Sequence, residues 1–139
     1  MTDSSGMSSN KFFIIDDDAE DTELLADALC KVEGSCQCFT ATNGEQGLQK
    51  LKEGLIPIPD YIFLDLNMPR LDGRQFLIKI KRIKVFSQIP IIIYTTSSDA
   101  RDREETKRLV AFYFLTKPDS FNEICKGLSI IFSLHNTAI

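Results

Sequence analysis

The sequence contains no C-x-x-C pair and only one histidine, so its four cysteines, Cys30, Cys36, Cys38 and Cys125, offer no ligand set at ordinary zinc spacing. Reduced, structural thiols are expected, with Cys36 and Cys38 alternating as one face of a strand. The chain also lacks a basic excess. Its formal net charge is −4 and its lysines and arginines are scattered, which excludes the electrostatic footprint of direct nucleic-acid binding. No apolar run approaches the roughly 20 residues of a membrane span. Residues 1–10 are rich in Ser, Gly and Asp and lack the basic start and apolar centre of a signal peptide, so they read as a mobile tail on a cytoplasmic protein. No repeat or linker interrupts the rest. With 139 residues, 43% hydrophobic and 26% charged, there is room for one globular domain, at 11–139.

Within that domain, short β-prone runs alternate with segments of helical period. Phe12 to Ile15 is the first strand and stops at Asp16-Asp17-Asp18. Leu24, Leu25, Ala28, Leu29 and Val32 recur at helical spacing behind an acidic first turn, and Gly34 ends that helix. Cys36 to Ala41 is the second strand. Asn43 and Gln46 then resemble a capping box for a helix with Leu48, Leu51 and Leu55 on its buried stripe. Pro57 and Pro59 block its continuation. Tyr61 to Leu66 is a near-continuous apolar run ending around Asp65, as in a strand covered on both faces.

Phe76, Ile80 and Ile83 mark a third helix with a solvated lysine-rich face, and Ile91 to Tyr94 form a fourth strand ending in Thr95-Thr96-Ser97-Ser98. The segment from Asp99 to Leu109 has little apolar face. It should be the least firmly packed helix, with Asp99–Arg103 and Glu104–Arg108 as helical pairs. Ala111 to Thr116 is the fifth strand. Ser120 with Glu123 caps a last helix that buries Phe121, Ile124, Cys125, Leu128, Ile131 and Phe132. Five strands alternating with five helices predict an α/β sandwich on a parallel sheet, with right-handed crossovers placing helices on both faces.

Four of these strands end in polar groups: Asp16 and Asp17, Asp65, Thr95, and Lys117. In a parallel sheet they share one edge, where α/β proteins hold their ligands. Three carboxylates in one cleft repel unless one is protonated or a cation is present, and oxygen ligands favour a hard ion such as Mg²⁺. Metal, lysine and hydroxyl donors are what phosphoryl transfer requires, and Asp65 is the candidate nucleophile.

The ordered set Ile15-Asp16-Asp17, Leu64-Asp65-Leu66-Asn67-Met68-Pro69 with Asp72-Gly73, Thr95, and Lys117-Pro118 resembles the response-regulator receiver domain of bacterial two-component signalling, over Lys11 to about Leu134. The resemblance implies a flavodoxin-like (βα)5 three-layer sandwich with strand order 2-1-3-4-5. It further implies that Asp65 takes a phosphoryl group from a sensor histidine kinase or phosphotransfer protein. Asp17, Asp65 and the Asn67 carbonyl would bind Mg²⁺, with Asp16 on metal-bound water. Thr95 and Lys117 would contact the phosphoryl oxygens, assisted by backbone N–H groups near Asn67 and Thr96. Also implied are a cis Lys117–Pro118 peptide, a switch pair of Thr95 and Phe114, and tuning of hydrolysis by Asn67 and Ser97. Phe114 stands where tyrosine is frequent, and Val110 where glycine is frequent.

On this reading the chain is a signalling switch rather than an enzyme. Its output is expected to pass to a downstream protein target through the face of helix four, strand five and helix five, with a relay shuttle or phosphate sink as the alternative. An aspartate-nucleophile phosphatase of the haloacid dehalogenase type, using Asp16 and Asp18, would leave Asp65 without a role. A flavodoxin would place its cofactor phosphate against three carboxylates. Asp18 by itself reads as a helix N-cap, and His135 as a surface residue.

Overall fold

The computed structural model describes residues 10–138, with side chains from 10 to 135. The expected mobile tail therefore lies outside the described residues except for Asn10, which opens the first strand. In chain order the elements are β1 (Asn10–Ile15), α1 (Ala19–Glu33), β2 (Cys36–Ala41), α2 (Gly44–Lys52), β3 (Tyr61–Leu64), α3 (Gly73–Lys81), β4 (Ile91–Thr95), α4 (Ala100–Arg108), β5 (Tyr113–Thr116) and α5 (Phe121–Ala138). The sheet is parallel with order β2-β1-β3-β4-β5, the flavodoxin-like arrangement.

Alternation along the central strands builds two cores. Phe13 and Ile15 point to one face with Ile62, Leu64, Ile91 and Ile93, against Leu48 and Leu51 of α2 and Phe76, Leu77 and Ile80 of α3. Phe12 and Ile14 point to the other with Phe63, Ile92 and Tyr94, against Leu25 and Leu29 of α1 and Leu128 and Ile131 of α5. Each such side chain contributes about 1.5–3 kcal/mol when removed from water, so the sheet edge that carries the polar groups rests on a rigid base.

The helix starts follow their capping residues. Asp18 accepts from Asp21 N–H at 3.0 Å, Asn43 from Gln46 N–H at 2.8 Å, and the Ser120 hydroxyl from Glu123 N–H at 3.2 Å. Asp72 and Gln75 form a full capping box for α3, unforeseen from sequence. Several expectations are corrected. Leu55 lies beyond α2 and is 62% exposed, because the helix ends at Lys52. His135 is half-buried: Nδ1 meets the Tyr61 hydroxyl and its ring packs on Phe112. No cis peptide occurs among the described residues, so Lys117–Pro118 is trans. Val110 keeps the left-handed backbone, φ 68°, that its position requires despite β-branching.

The cysteines differ most from expectation. Cys30, near the end of α1, and Cys36, at the start of β2, are joined in a disulfide with a Cα separation of 5.2 Å, while Cys38 and Cys125 are free. The turn through Gly34, at φ 79°, folds β2 back beside the end of α1 and brings the two sulfurs together.

Candidate functional site

Strand register delivers the polar groups to a single edge. Ile15 is level with Ala41 and Leu64, Leu64 with Ile93, and Thr95 with Thr116. The next residues continue these ladders: Asp16 N–H donates to Ala41 O, Asp65 N–H to Ile15 O, and Lys117 N–H to Thr95 O. The acids and the lysine are therefore placed by backbone, not by flexible loops.

Carboxylate oxygens of Asp16, Asp17 and Asp65 lie within 4.8 Å of one another. Asp16 and Asp65 are buried, whereas Asp17 faces solvent. The Lys117 side chain is 9% exposed, and its Nζ is 2.8 Å from Asp16 Oδ2, 2.8 Å from Asp21 Oδ2 and 3.9 Å from Asp65 Oδ2. It also lies 5.7 Å from the Tyr94 ring centroid. Asp16 Oδ1 accepts from Asp18 N–H, but Oδ2 has no aligned hydrogen-bond donor and holds Lys117 as a close ion pair. The second such atom is the hydroxyl of Thr95, fully buried and without a partner.

Burial pushes the Asp16 carboxyl up from its ordinary 3.8 to about 6; Lys117 and the Asp18 N–H oppose the rise, and the charge of Asp65 adds to it. For Lys117 burial works against the charge, yet bonds to Asp16 and Asp21 and the field of Asp65 carry its pKa above the ordinary value. Lys117 thus stays protonated, and Asp16 is the group that titrates. Because its folded pKa is raised, Asp16 contributes stability that is full below about pH 4 and is lost as pH rises toward 6. In chelator, urea midpoints should fall across that window by an amount that disappears in Asp16→Asn. An unchanged slope in the variant would refute the assignment.

The structure places the other predicted residues less uniformly. Asn67 is exposed just past β3 and its N–H reaches Asp65 Oδ1 at 3.4 Å. Thr96 is exposed at the end of β4. Ser97 turns toward α4, where its hydroxyl donates to Asp102 and accepts from Asp99 N–H. Phe114 is half-buried under the Arg103 guanidinium, 4.6 Å from the ring centroid.

Two features escaped sequence reasoning. Asp21, one of the acids in the first turn of α1, reaches Lys117. Arg74, at the start of α3, bonds both Asp102 and Glu105 of α4. Within α4 Asp99 pairs with Arg101 instead of the expected Arg103, which is occupied by Phe114 and Thr116. Since Thr106 is the only buried residue in α4, these charges hold the helix more than packing does. Arg74→Ala should loosen α4 by roughly 1 kcal/mol, seen as faster amide exchange there and unchanged exchange in β1 and β3.

The three carboxylates suit a hard divalent cation. No helix among the described residues is long and apolar enough to cross a membrane.

Comparison with known proteins agrees with this geometry. The family model described as "Response regulator receiver domain" matches residues 12–129. Protein PilG of Pseudomonas aeruginosa is 32% identical over 108 residues, covering 78% of this chain and 77% of that protein. The sensor histidine kinase CheAY of Helicobacter pylori is 32% identical over 106 residues, 76% of this chain but 13% of the kinase. The chain therefore spans only a small part of some relatives that it matches. Among solved structures, the Mn²⁺-bound form of response regulator Rcp1 superposes with a TM-score of 0.78 at 26% identity, covering 89% of this chain and 92% of the other. With its acids, hydroxyl and lysine on the strand ends and this match over most of its length, the chain belongs to the response regulator receiver domain family.

Proposed function

We propose that this chain is a phosphorylation-driven signalling switch in which Asp65 accepts a phosphoryl group from a phosphohistidine of a sensor kinase or phosphotransfer protein. The observation that carries this reading is the Thr95 hydroxyl, buried at a sheet edge with nothing to bond, on the strand next to the one that precedes Asp65. A buried polar group without a partner is rare and costly. A phosphoryl oxygen on Asp65 would give it an acceptor.

In the transfer, an Asp65 carboxylate oxygen forms a bond to phosphorus while the phosphorus–nitrogen bond of the donor breaks, its electron pair leaving with the imidazole. Asp16, Asp17, Asp65 and the Asn67 carbonyl would hold Mg²⁺; the Mn²⁺ in the Rcp1 structure supports a divalent ion. When bound, the cation offsets negative charge on the incoming phosphoryl oxygens. Lys117 is a short reach from Asp65 and would turn from Asp16 toward the new group, with Asp21 retaining one of its donors. Thr95, Lys117 and the N–H groups of Asn67 and Thr96 would bind the phosphoryl oxygens. Asn67 and Ser97 would set the access of hydrolytic water.

The signal would leave through Thr95 and Phe114. Inward rotation of Phe114 requires it to part from Arg103, and burial alone must drive the motion because the ring has no hydroxyl. The exposed surface of α4 and β5 would then change for a downstream protein target. In this role the protein works in the cytoplasm and turns over no separate substrate.

Intact mass after incubation with acetyl phosphate and Mg²⁺ tests the proposal. One phosphoryl adduct that forms with Mg²⁺ and fails to form in chelator is expected. Absence of any adduct in folded protein at saturating donor would overturn it.

A further inference from the structure

At the opposite end of β2 from Ala41, three sulfurs share one small volume. The ligating atoms of Cys30, Cys36 and Cys38 lie within 4.8 Å of one another, and Cys36 Sγ is 4.0 Å from Cys38 Sγ. Cys36 and Cys38 sit two apart on β2 and therefore project from the same face. Cys30 meets them from the end of α1 and is exposed to solvent. Tetrahedral zinc thiolates, with metal–sulfur bonds of about 2.3 Å, place their sulfurs about 3.8 Å apart, so the Cys36–Cys38 spacing already matches one edge of such a site.

Three thiolates are a poor set for Mg²⁺ and a good one for a thiophilic ion, whose fourth position water can fill. The spacing C-x5-C-x-C follows no common zinc pattern, and only the Gly34 turn brings Cys30 back to β2.

We propose that in the reduced protein Cys30, Cys36 and Cys38 bind one Zn²⁺, and that the Cys30–Cys36 disulfide is the closed, metal-free state of the same site. Closing it converts two thiols to a disulfide, and the two electrons and two protons pass to a low-molecular-weight disulfide that leaves as two thiols. Oxidation removes two of the three sulfur donors, so metal and disulfide exclude each other. The site staples α1 to the edge strand in either state, through the ion or through the covalent bond.

The test uses the full chain, reduced without oxygen, with excess Mg²⁺ to saturate the acidic triad, and Co²⁺ as a spectroscopic substitute for Zn²⁺. Thiolate-to-Co²⁺ charge-transfer absorption saturating at one equivalent, reversed by Zn²⁺ and abolished by a low-molecular-weight disulfide, is expected. Cys125→Ser should leave it intact. Cys38→Ser and the exposed Cys30→Ser should each remove most of it. Circular dichroism of each variant separates loss of ligand from loss of fold. Reduced wild type that shows no thiolate band would overturn the proposal, leaving a simple disulfide pair. A band unchanged in folded Cys38→Ser would overturn the three-sulfur set.

Discussion

Asp65→Asn should reduce phosphoryl incorporation from acetyl phosphate to the background of unreacted protein while leaving the fold intact. The side chain is buried at the end of β3, and its Oδ1 accepts from the Asn67 N–H; an amide oxygen retains that bond. What the amide lacks is a nucleophilic oxygen with a full negative charge. It also takes one charge from a cleft in which Asp16 and Asp65 repel, so metal-free stability should hold or rise while divalent-ion affinity, measured by calorimetry, falls. Asp16→Asn keeps the nucleophile and should retain measurable labelling. An adduct that survives Asp65→Asn and vanishes with Asp16→Asn would assign the chemistry to the first strand and refute the acceptor role of Asp65.

Gly73→Ala should cost stability of the order of 3 kcal/mol, the upper end of what overpacking usually costs, and impair phosphoryl uptake together with it. A Cβ at Gly73 would stand 2.4 Å from the Asp65 carbonyl oxygen and 2.8 Å from Leu66 Cα. Both are backbone atoms, and Gly73 N–H also bonds Leu66 O, so neither side can yield without moving the acceptor itself. Gly34→Ala is the natural contrast. That position has open space around it but a left-handed φ of 79°, and only backbone strain of about 1 kcal/mol is expected. Urea denaturation of both variants, with labelling of each, separates the effects. A Gly73→Ala protein as stable as Gly34→Ala and fully labelled would show that the α3 entry can shift freely.

Much of this architecture is legible in the chain because it is local. Apolar runs such as Phe12 to Ile15 and Ile91 to Tyr94, and caps at Asp18, Asn43 and Ser120, announce their own elements. The parallel order then forces Asp16, Asp65, Thr95 and Lys117 to one edge. What the sequence does not announce depends on side chains that meet across the fold. Asp21 finds Lys117 across 96 positions, and Arg74 finds Asp102 across 28. Helical spacing favoured Asp99–Arg103, but Phe114 of β5 claimed the guanidinium. The three sulfurs meet because of one glycine turn, and His135 is drawn inward by Tyr61 from a distant strand.

The unpaired Thr95 hydroxyl has a thermodynamic meaning beyond its place in the site. An unsatisfied buried hydroxyl raises the free energy of the state that contains it by about 1–3 kcal/mol. The unphosphorylated conformation therefore sits higher than its packing alone would set it. Any conformer in which the hydroxyl finds an acceptor gains that amount, equivalent to a shift of about 5- to 150-fold in the balance between two populations. Under the proposed phosphorylation of Asp65, part of the switching free energy would be present in the Thr95 hydroxyl before the phosphoryl group arrives.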